Sequence, residues 1–577
     1  MLASLRRAAR SSVVKHSSRN ASSTAAVERP AARRTSSSFW KRLRQGTLIT
    51  AGVAGGTIYY RMQTDEGFRR SAYFYAKAVP AYIHYRTTQV FLEDILKLPE
   101  DDHDAYYNAL HDKYAHEIFD VILTLKGFYI KIAQIGSTRD DFVPKQYLDR
   151  AKKLQNDAPS KPIEDIIAII EASYGKPFSS VFRSIDPKPL GAASIGQAHK
   201  AELVDGTTVV VKIQFPDAEK HFRNDITTIK TFCSVAQPAH MPQLNEIEKQ
   251  FMTEFDYRRE ADNLSEVRGN IERSPFRDRF VVPKPYKELC TKDVLVMEYL
   301  KGKTLIDGIN EHFETIARER HTTVEALRAA QEKEDEERNA QGLELRTGPS
   351  EEDLRRYKAL LHARSSWTKF KHALYDYSLG WVYPRGVAAV TDDVDQPEDH
   401  LLNLPEILRL VVEVHGHEIL VDGCFNGDPH PGNIMLLDDG RIGLIDYGQV
   451  KHLPKEQRLQ MARAIIMLAE GTTEEIAQRA FDMGFRSKYM DPAVTEARLR
   501  IGFDRDDKSI TNGQNIQLFF ESLEARDPVV AQGDDFVMAS RVSILLRGLS
   551  NALRYPMSHA KMWAPIAKQV LERESSL

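Results

Sequence analysis

The sequence predicts an α+β fold of two lobes, a strand-bearing N-lobe and a largely helical C-lobe, behind a helical N-terminal extension. Three observations predict it. Val209-Val210-Val211-Lys212-Ile213 is a β-branched run carrying a single Lys, the composition of a strand. Ile434–Leu437 and Ile442–Ile445 are largely apolar runs either side of Asp438-Asp439-Gly440-Arg441, so they read as strand, turn, strand with carboxylates at the mouth. Lys455–Gly471 sets Met461, Ala464, Ile465 and Leu468 at i, i+3, i+4 and i+7, the apolar stripe of a helix. Residues 454–577 read as helical and hold no catalytic grouping. A chain of 577 residues can bury a core in each lobe and still carry an extension.

The chemistry concentrates in two segments, Asn426-Gly427-Asp428-Pro429-His430-Pro431-Gly432-Asn433 and Ile445-Asp446-Tyr447-Gly448. An Asp, an Asn five residues later and a second Asp thirteen beyond that is the spacing of a kinase-type phosphoryl-transfer site. There the first Asp orients or deprotonates a nucleophile, while the Asn and the second Asp hold the metal ions bridging the phosphates. Asp428 is therefore the candidate catalytic residue, and Asn433 and Asp446 are candidate ligands for Mg bound with ATP. Either segment alone is common turn punctuation; order and spacing carry the reading. The two lobes are accordingly expected to be protein-kinase-like.

Upstream, Lys212 matches the strand Lys that pairs with nucleotide phosphates. Glu260, within the helical segment Phe251–Val267, is its expected ion-pair partner. Asp256, Glu260 and Asn263 fall at i, i+4 and i+7 and share one face, although Asp256 taken alone reads as a solvated charge. Val294-Leu295-Val296-Met297-Glu298-Tyr299 resembles the strand entering a hinge whose backbone reads adenine, which makes Glu298 a candidate nucleotide contact. The loop expected to cover the phosphates is not G-x-G-x-x-G but Pro189-Leu190-Gly191-Ala192-Ala193-Ser194-Ile195-Gly196. Alanine does not take positive φ cheaply and its Cβ limits how closely backbone N–H groups approach phosphate oxygens, so this loop should hold the nucleotide in a different pose.

The set Ala192-Ala193-Ser194, Lys212, Glu254-x-Asp256, Arg259-Glu260-Ala261, Asp428-Pro429-His430-Pro431-Gly432-Asn433 and Asp446-Tyr447-Gly448 resembles the UbiB-type atypical kinases, also called aarF-domain-containing kinases, from about residue 110 onward. The family's K-x-G-Q helix stands here as Lys131-Ile132-Ala133-Gln134, with Ala in place of Gly, followed by Leu154-Gln155-Asn156-Asp157-Ala158-Pro159. Gly191 holds the first position of the family's Ala run. The resemblance implies nucleotide contacts at Ala192, Ala193 and Ser194, and a role in coenzyme Q or mitochondrial lipid homeostasis.

The helix around Lys131 can also be judged alone. Phe128, Tyr129, Ile130, Ile132, Ala133 and Ile135 make it apolar nearly all round, so it should be buried. Lys131 and Gln134 then need partners, for which Glu254 and Asp256 are the natural acids; the resemblance implies that they pair and plug the peptide cleft. The alternative is a Lys131 that snorkels to the surface. After Asp446, Val450-Lys451-His452-Leu453-Pro454 leads straight into the helix at Lys455, with no activation segment and no Ala-Pro-Glu anchor. That points to a small or lipid-like substrate, or to ATP hydrolysis alone.

Residues 1–45 hold eleven Lys or Arg against one acid, Glu28, among many Ser and Ala, the composition of a mitochondrial targeting segment. Residues 46–61 are expected to form a single inner-membrane span: Gly46–Tyr60 is uncharged and carries Gly52-x-x-x-Gly56, though it falls short of the ~20 residues a span needs. That helix could also join two copies or a complex, and basic residues before it place the globular part in the intermembrane space. Residues 62–175 read as the helical extension, 176–300 as the N-lobe and 301–577 as the C-lobe, with a charged insertion at about 310–400 that includes Glu332–Arg338 and the acidic Thr391–His400. A net charge of −3 argues against nucleic acid as a partner; the resemblance implies inner-membrane lipids and a quinone-like or other lipid substrate as partners. Cys233, Cys290 and Cys424 show no paired or metal-ligand spacing. The reading is a mitochondrial atypical kinase or ATPase. Its alternatives are a nucleotide-switched lipid-binding scaffold and a small-molecule kinase; a true protein kinase is disfavoured by the missing activation segment.

Overall fold

The computed structural model describes residues 55–99, 103–137, 160–192, 195–238, 241–319, 321–341, 402–507, 510–511, 516–531 and 534–575, with short pieces between 144 and 150 and between 352 and 359. It divides into two compact units, Met1–Asp205 with Val211–Phe255, and Gly206–Val210 with Asp256–Leu577. The stretch expected as one N-lobe, 176–300, is thus shared between the two.

In the first unit, a helix over residues 55–64 stops at Asp65, whose side chain caps the next helix by accepting from Phe68 N–H at 3.0 Å. That helix, α1 (Glu66–Val90), is followed by α2 (Asp104–Leu125), α3 (Phe128–Ser137), α4 (Ile163–Tyr174), strands β1 (Phe182–Ile185), β2 (Gly191–Ala192), β3 (Gly196–Leu203) and β4 (Thr208–Gln214, whose first three residues fall in the second unit), then α5 (Ala218–Ala236) and α6 (Met241–Phe251). Arg70 fixes α1 on α5: its Nε and Nη2 reach the buried Asp225 carboxylate at 3.0 and 2.5 Å, and Nη2 also reaches Leu125 O at 2.7 Å. Phe128 anchors α3 edge-on against Phe222 (4.9 Å between centroids) and against Phe251 (5.8 Å). Phe128, Tyr129, Ile130 and Ala133 are buried, as expected of that helix.

Strand β3 alternates, with Gln197, His199, Ala201 and Leu203 inward. The two polar members are satisfied: His199 Nδ1 pairs with Asp186 O at 2.7 Å, its Nε2 with Gln197 at 2.8 Å, and Gln197 Oε1 accepts from Lys161 N–H at 2.7 Å. In β4, Val209, Val211 and Ile213 are fully buried around a half-buried Lys212.

In the second unit the order is α7 (Tyr257–Arg273), β5 (Phe280–Val281), β6 (Val294–Glu298), β7 (Gly302–Thr304), α8 (Leu305–Glu319), α9 (Val324–Ala340), α10 (Leu404–His417), β8 (Cys424–Asn426), β9 (Ile434–Leu437), β10 (Ile442–Leu444) and β11 (Val450–His452). Helices α11 (Lys455–Glu470) and α12 (Thr473–Asp482), strand β12 (Arg486–Ser487), helices α13 (Pro492–Phe503) and α14 (Ile516–Arg526), strand β13 (Val529–Ala531), and helices α15 (Asp534–Ala552) and α16 (His559–Ser575) complete it. Strands β5, β10, β9 and β7 form one sheet in that order, with β10 parallel to β5 and antiparallel to β9. The expected strand, turn, strand is β9–β10, turning at Gly440 with φ +84. The charged run 332–338 lies on α9, where Lys333 and Glu337 are exposed. Met461, Ala464, Ile465 and Leu468 are the buried stripe of α11. Trp563 on α16 is fully buried and donates Nε1–H to Val412 O at 2.8 Å, tying the last helix to α10.

The single span expected at 46–61 finds no support. Residues 46–54 lie outside the described residues, and no helix among the described residues is long and apolar enough to cross a membrane. Beyond the uncharged run, which ends at Tyr60, Arg61 and Asp65 pair at 3.0 Å one turn apart.

Candidate functional site

The site begins where α10 ends. The chain passes through a π-helical turn, Glu418–Asp422, into Gly423 at φ 66. A Cβ there would lie 2.9 Å from Leu453 O, and Leu453 N–H donates to Gly423 O at 2.7 Å. Only glycine combines this positive φ with so close an approach. The contact sets the register of β8 on β11, Val450↔Asn426, Lys451↔Phe425 and His452↔Cys424.

Asn426 closes β8 and is buried. Its Oδ1 accepts from Asp428 N–H at 2.9 Å and its Nδ2 donates to Asp446 O at 2.7 Å. One side-chain amide therefore holds both motif loops. Asp428 O accepts from His430 N–H at 2.7 Å, and Asn433 N–H donates to His430 O at 2.8 Å, which folds the Pro-His-Pro-Gly segment back on itself. Ile445 N–H donates to Asn433 O at 3.1 Å, continuing the β9–β10 ladder so that Asn433 stands beside the residue preceding Asp446. Asp446 Oδ1 accepts from Gly448 N–H at 3.1 Å, and Asn263 on α7 donates to Tyr447 O at 2.9 Å. Asp428, Asn433 and Asp446 are half-buried on this frame. Their side chains offer two carboxylates and one amide oxygen. Hard oxygen donors of this kind fit Mg²⁺ and not a thiophilic metal.

Beneath the loop, Tyr447 is fully buried and donates its hydroxyl to Glu418 Oε1 at 3.0 Å. Burial pushes the Glu418 carboxyl up to about 8, against the opposing pull of the Tyr447 hydroxyl, so the acid is neutral at pH 7.

A family model described as the ABC1 atypical kinase-like domain matches residues 153–328 and 385–480. This chain carries an ABC1 atypical kinase-like domain. The match covers Lys212, Glu260 and both Asp motifs, and the UbiB-type resemblance is borne out. The fold is the two-lobed kinase-like α+β class. The chain is 35% identical over 467 residues to the uncharacterized protein sll1770 of Synechocystis, spanning 79% of this chain and 64% of that one. It is 30% identical over 218 residues to the AarF domain-containing protein kinase 1 of Xenopus tropicalis, spanning 37% and 41%. It is 25% identical over 386 residues to the chloroplastic ACTIVITY OF BC1 COMPLEX KINASE 1 of Arabidopsis thaliana, spanning 65% and 44%. The chain thus spans less than half the length of the two named kinases.

The ABC1 domain distributes the expected residues between the two units. In the first, Ala192 lies in β2 opposite Gln197, while Ala193 and Ser194 lie outside the described residues. Gly191 is exposed, and a Cβ there would meet nothing within 4 Å. Lys212 is the half-buried member of β4, and Glu254 sits in a 3₁₀ turn with its carbonyl accepting from Gln214 Nε2 at 3.4 Å. The side chains of Lys131 and Gln134 lie outside the described residues. In the second unit Glu260 is buried on α7, on the helix whose Asn263 holds Tyr447.

Asp256 takes another role from that expected, and Glu298 has its side chain engaged elsewhere. Asp256 is not on a helical face with Glu260, because the helix read as Phe251–Val267 is broken by a 3₁₀ turn, Met252–Phe255. Asp256 sits at φ −139 as the N-cap of α7, accepts from Arg258 N–H and pairs with the Arg258 guanidinium at 2.7 Å; that guanidinium holds its carboxyl below the usual range. Glu298 has its N–H on Lys284 O at 2.8 Å and its carboxylate on Arg268 Nη1 at 2.9 Å and Lys284 N–H at 3.1 Å. That N–H and that carboxylate are engaged within the protein, so the expected hinge contact would run through the Glu298 carbonyl. Asn426, Asn263 and Glu418 carried no expected role. Asn426 stands directly before the Gly-Asp-Pro turn, and an Asn accepting from the N–H two residues on is a known turn device; that was the available signal.

Proposed function

We propose that this chain is an atypical kinase or ATPase that binds Mg-ATP and transfers a phosphoryl group to a small or lipid-like acceptor or to water. The observation that carries the reading is the Asn426 amide, which joins the Asp428 loop to Asp446 and so makes one unit of two motifs spaced as in phosphoryl-transfer sites. Asn433 and Asp446 would hold Mg²⁺, which neutralises phosphate charge when bound. Asp428 would orient or deprotonate the nucleophile. Motif order assigns Lys212 to the phosphates and Glu260 to Lys212, with Ala192, Ala193 and Ser194 in the covering loop. The short connection from Asp446 to α11, only β11, Leu453 and Pro454 between Gln449 and Lys455, leaves little to grip a peptide and favours a small acceptor. Lys131, Gln134 and Glu254 are proposed as the plug of that cleft. Mitochondrial residence is proposed on the composition of residues 1–45, inner-membrane association on Gly46–Tyr60, and a role in coenzyme Q or lipid homeostasis on the family resemblance.

Mg-ATP should raise the melting temperature of the purified protein, and Asp446→Asn should abolish the rise while leaving the ligand-free melting temperature nearly unchanged. An undiminished rise in that variant would remove the assignment. ATP turnover, with and without anionic lipid vesicles and quinone-like compounds, tests the second half. Binding without turnover under any of these conditions would make the protein a nucleotide-switched scaffold.

A further inference from the structure

The β8–β11 pair has a second end, and it carries a different chemistry. Cys424 and His452 are direct cross-strand partners. The ladder bonds flanking them run from Leu453 N–H to Gly423 O and from Gly427 N–H to Gln449 O, so Cys424 and His452 form a pair that exchanges no backbone bonds. That is the closest cross-strand geometry, with both side chains on one face. Helix α7 adds Glu266 to this face, with Glu266 Oε2 at 3.1 Å from His452 Nε2. One sulfur, one imidazole nitrogen and one carboxylate oxygen all lie within 4.8 Å of one another.

We propose that Cys424, His452 and Glu266 form a divalent-metal site suited to Zn²⁺, separate from the oxygen-donor site at Asp428 and Asp446. Ligand atoms around a tetrahedral zinc, at about 2.0–2.3 Å from the ion, stand roughly 3.4 Å apart. The three donors therefore need to close by only about 1.5 Å at most. They are built for it: the Cys424 sulfur is fixed in the core at 2% exposure, while the His452 and Glu266 side chains are 56% and 47% exposed and can move. Their exposure also supplies the entry path and room for a water as fourth ligand. The thiolate–imidazole–carboxylate set selects zinc over magnesium, the reverse of the set at Asp428, Asn433 and Asp446. A surface Glu–His pair by itself is worth at most about 1 kcal/mol and does not account for a thiol beneath it. The Cys424 thiol lies within hydrogen-bond reach of Glu266 itself, whereas the Cys290 thiol is turned to the backbone, donating to Tyr286 O at 3.2 Å.

Without metal the thiol keeps its proton. Binding forms an S–metal bond and releases that proton to solvent, while His452 binds as neutral imidazole and Glu266 as carboxylate. One proton leaves per ion, so affinity rises with pH. The bound ion would clip α7 to the β8–β11 pair, and α7 is the helix whose Asn263 holds Tyr447 O.

The test is titration of the purified full chain with Co²⁺ in excess Mg²⁺, which saturates the oxygen-donor site. The expected result is one equivalent of cobalt with a thiolate-to-cobalt charge-transfer band, displaced by an equivalent of Zn²⁺. Cys424→Ser should abolish the band, and the Cys233→Ser, Cys290→Ser double variant should keep it. His452→Ala and Glu266→Gln, at exposed positions that leave folding intact, should each weaken binding at least as much as the 10–100-fold typical of lost outer-shell partners; they carry the test if Cys424→Ser misfolds. Absence of the band in the wild type, its survival in Cys424→Ser, or affinity untouched in both surface variants would overturn the site.

Discussion

The two ends of the β8–β11 pair are built from the same six residues of strand and do opposite things. At the Asn426 end the chain leaves the ladder into loops, and side-chain amides and peptide groups fix where Asp428 and Asp446 stand. At the Cys424 end the ladder itself does the positioning, and a helix supplies the third group. Loop ends give oxygen donors freedom to converge from distant sequence, at the cost of a dedicated holding residue. A strand end needs no such holder but can bring together only what the register allows.

The largest expected effect breaks the chemistry of the first end alone. Asp428→Asn should lower ATP turnover by about 10²–10⁴ while Mg-ATP still raises the melting temperature. Equal loss of both would make Asp428 a metal or structural residue. Next in size is the holding residue. Asn426→Ala leaves the part-buried Asp428 N–H and Asp446 O contacts unmade, and should cost roughly 1–3 kcal/mol of stability in denaturant. It should also lower turnover, whereas cobalt binding at Cys424 should survive. Parallel loss of both sites would show that the two ends are one cooperative structure.

The smallest effect lies between the ends, at Glu418. Its folded value of about 8 stands above the ordinary 4.5. Between those two pH values the unfolded chain has lost the proton while the folded chain keeps it, so stability falls as pH rises through that window. Glu418→Gln cannot ionise and still accepts from Tyr447. It should flatten this fall, gaining on the wild type by on the order of 3 kcal/mol at most from pH 5 to pH 8. Identical pH slopes in urea unfolding would mean that Glu418 is ionised in the folded protein.

Much of this was legible in the chain. The 5 and 13 spacing of Asp428, Asn433 and Asp446, the β-branched strand around Lys212 and the stripe of α11 are local patterns, and local patterns fix local structure. What failed was long-range or competitive. Asp256 matched a helical face by spacing, but an Asp prefers to cap, and with Arg258 two residues on the cap won. Glu298 matched a hinge strand, while the partner of its side chain, Arg268, lies 30 residues away on α7 and is stated by no local pattern.

The sequence by itself determined which groups exist and the rough elements that carry them, because periodicity and spacing act over one or two turns. It determined the family as well, through motifs read in order. Only the tertiary structure decided their partners. Cys424 and His452 are 28 residues apart and show no ligand spacing; they face each other because Gly423, at positive φ, admits Leu453 O and sets the register. Asn426 reaches Asp446 across 20 residues by the same register. A strand pairing shifted by one residue would turn every one of these side chains to the other face, and nothing in the local sequence states that register.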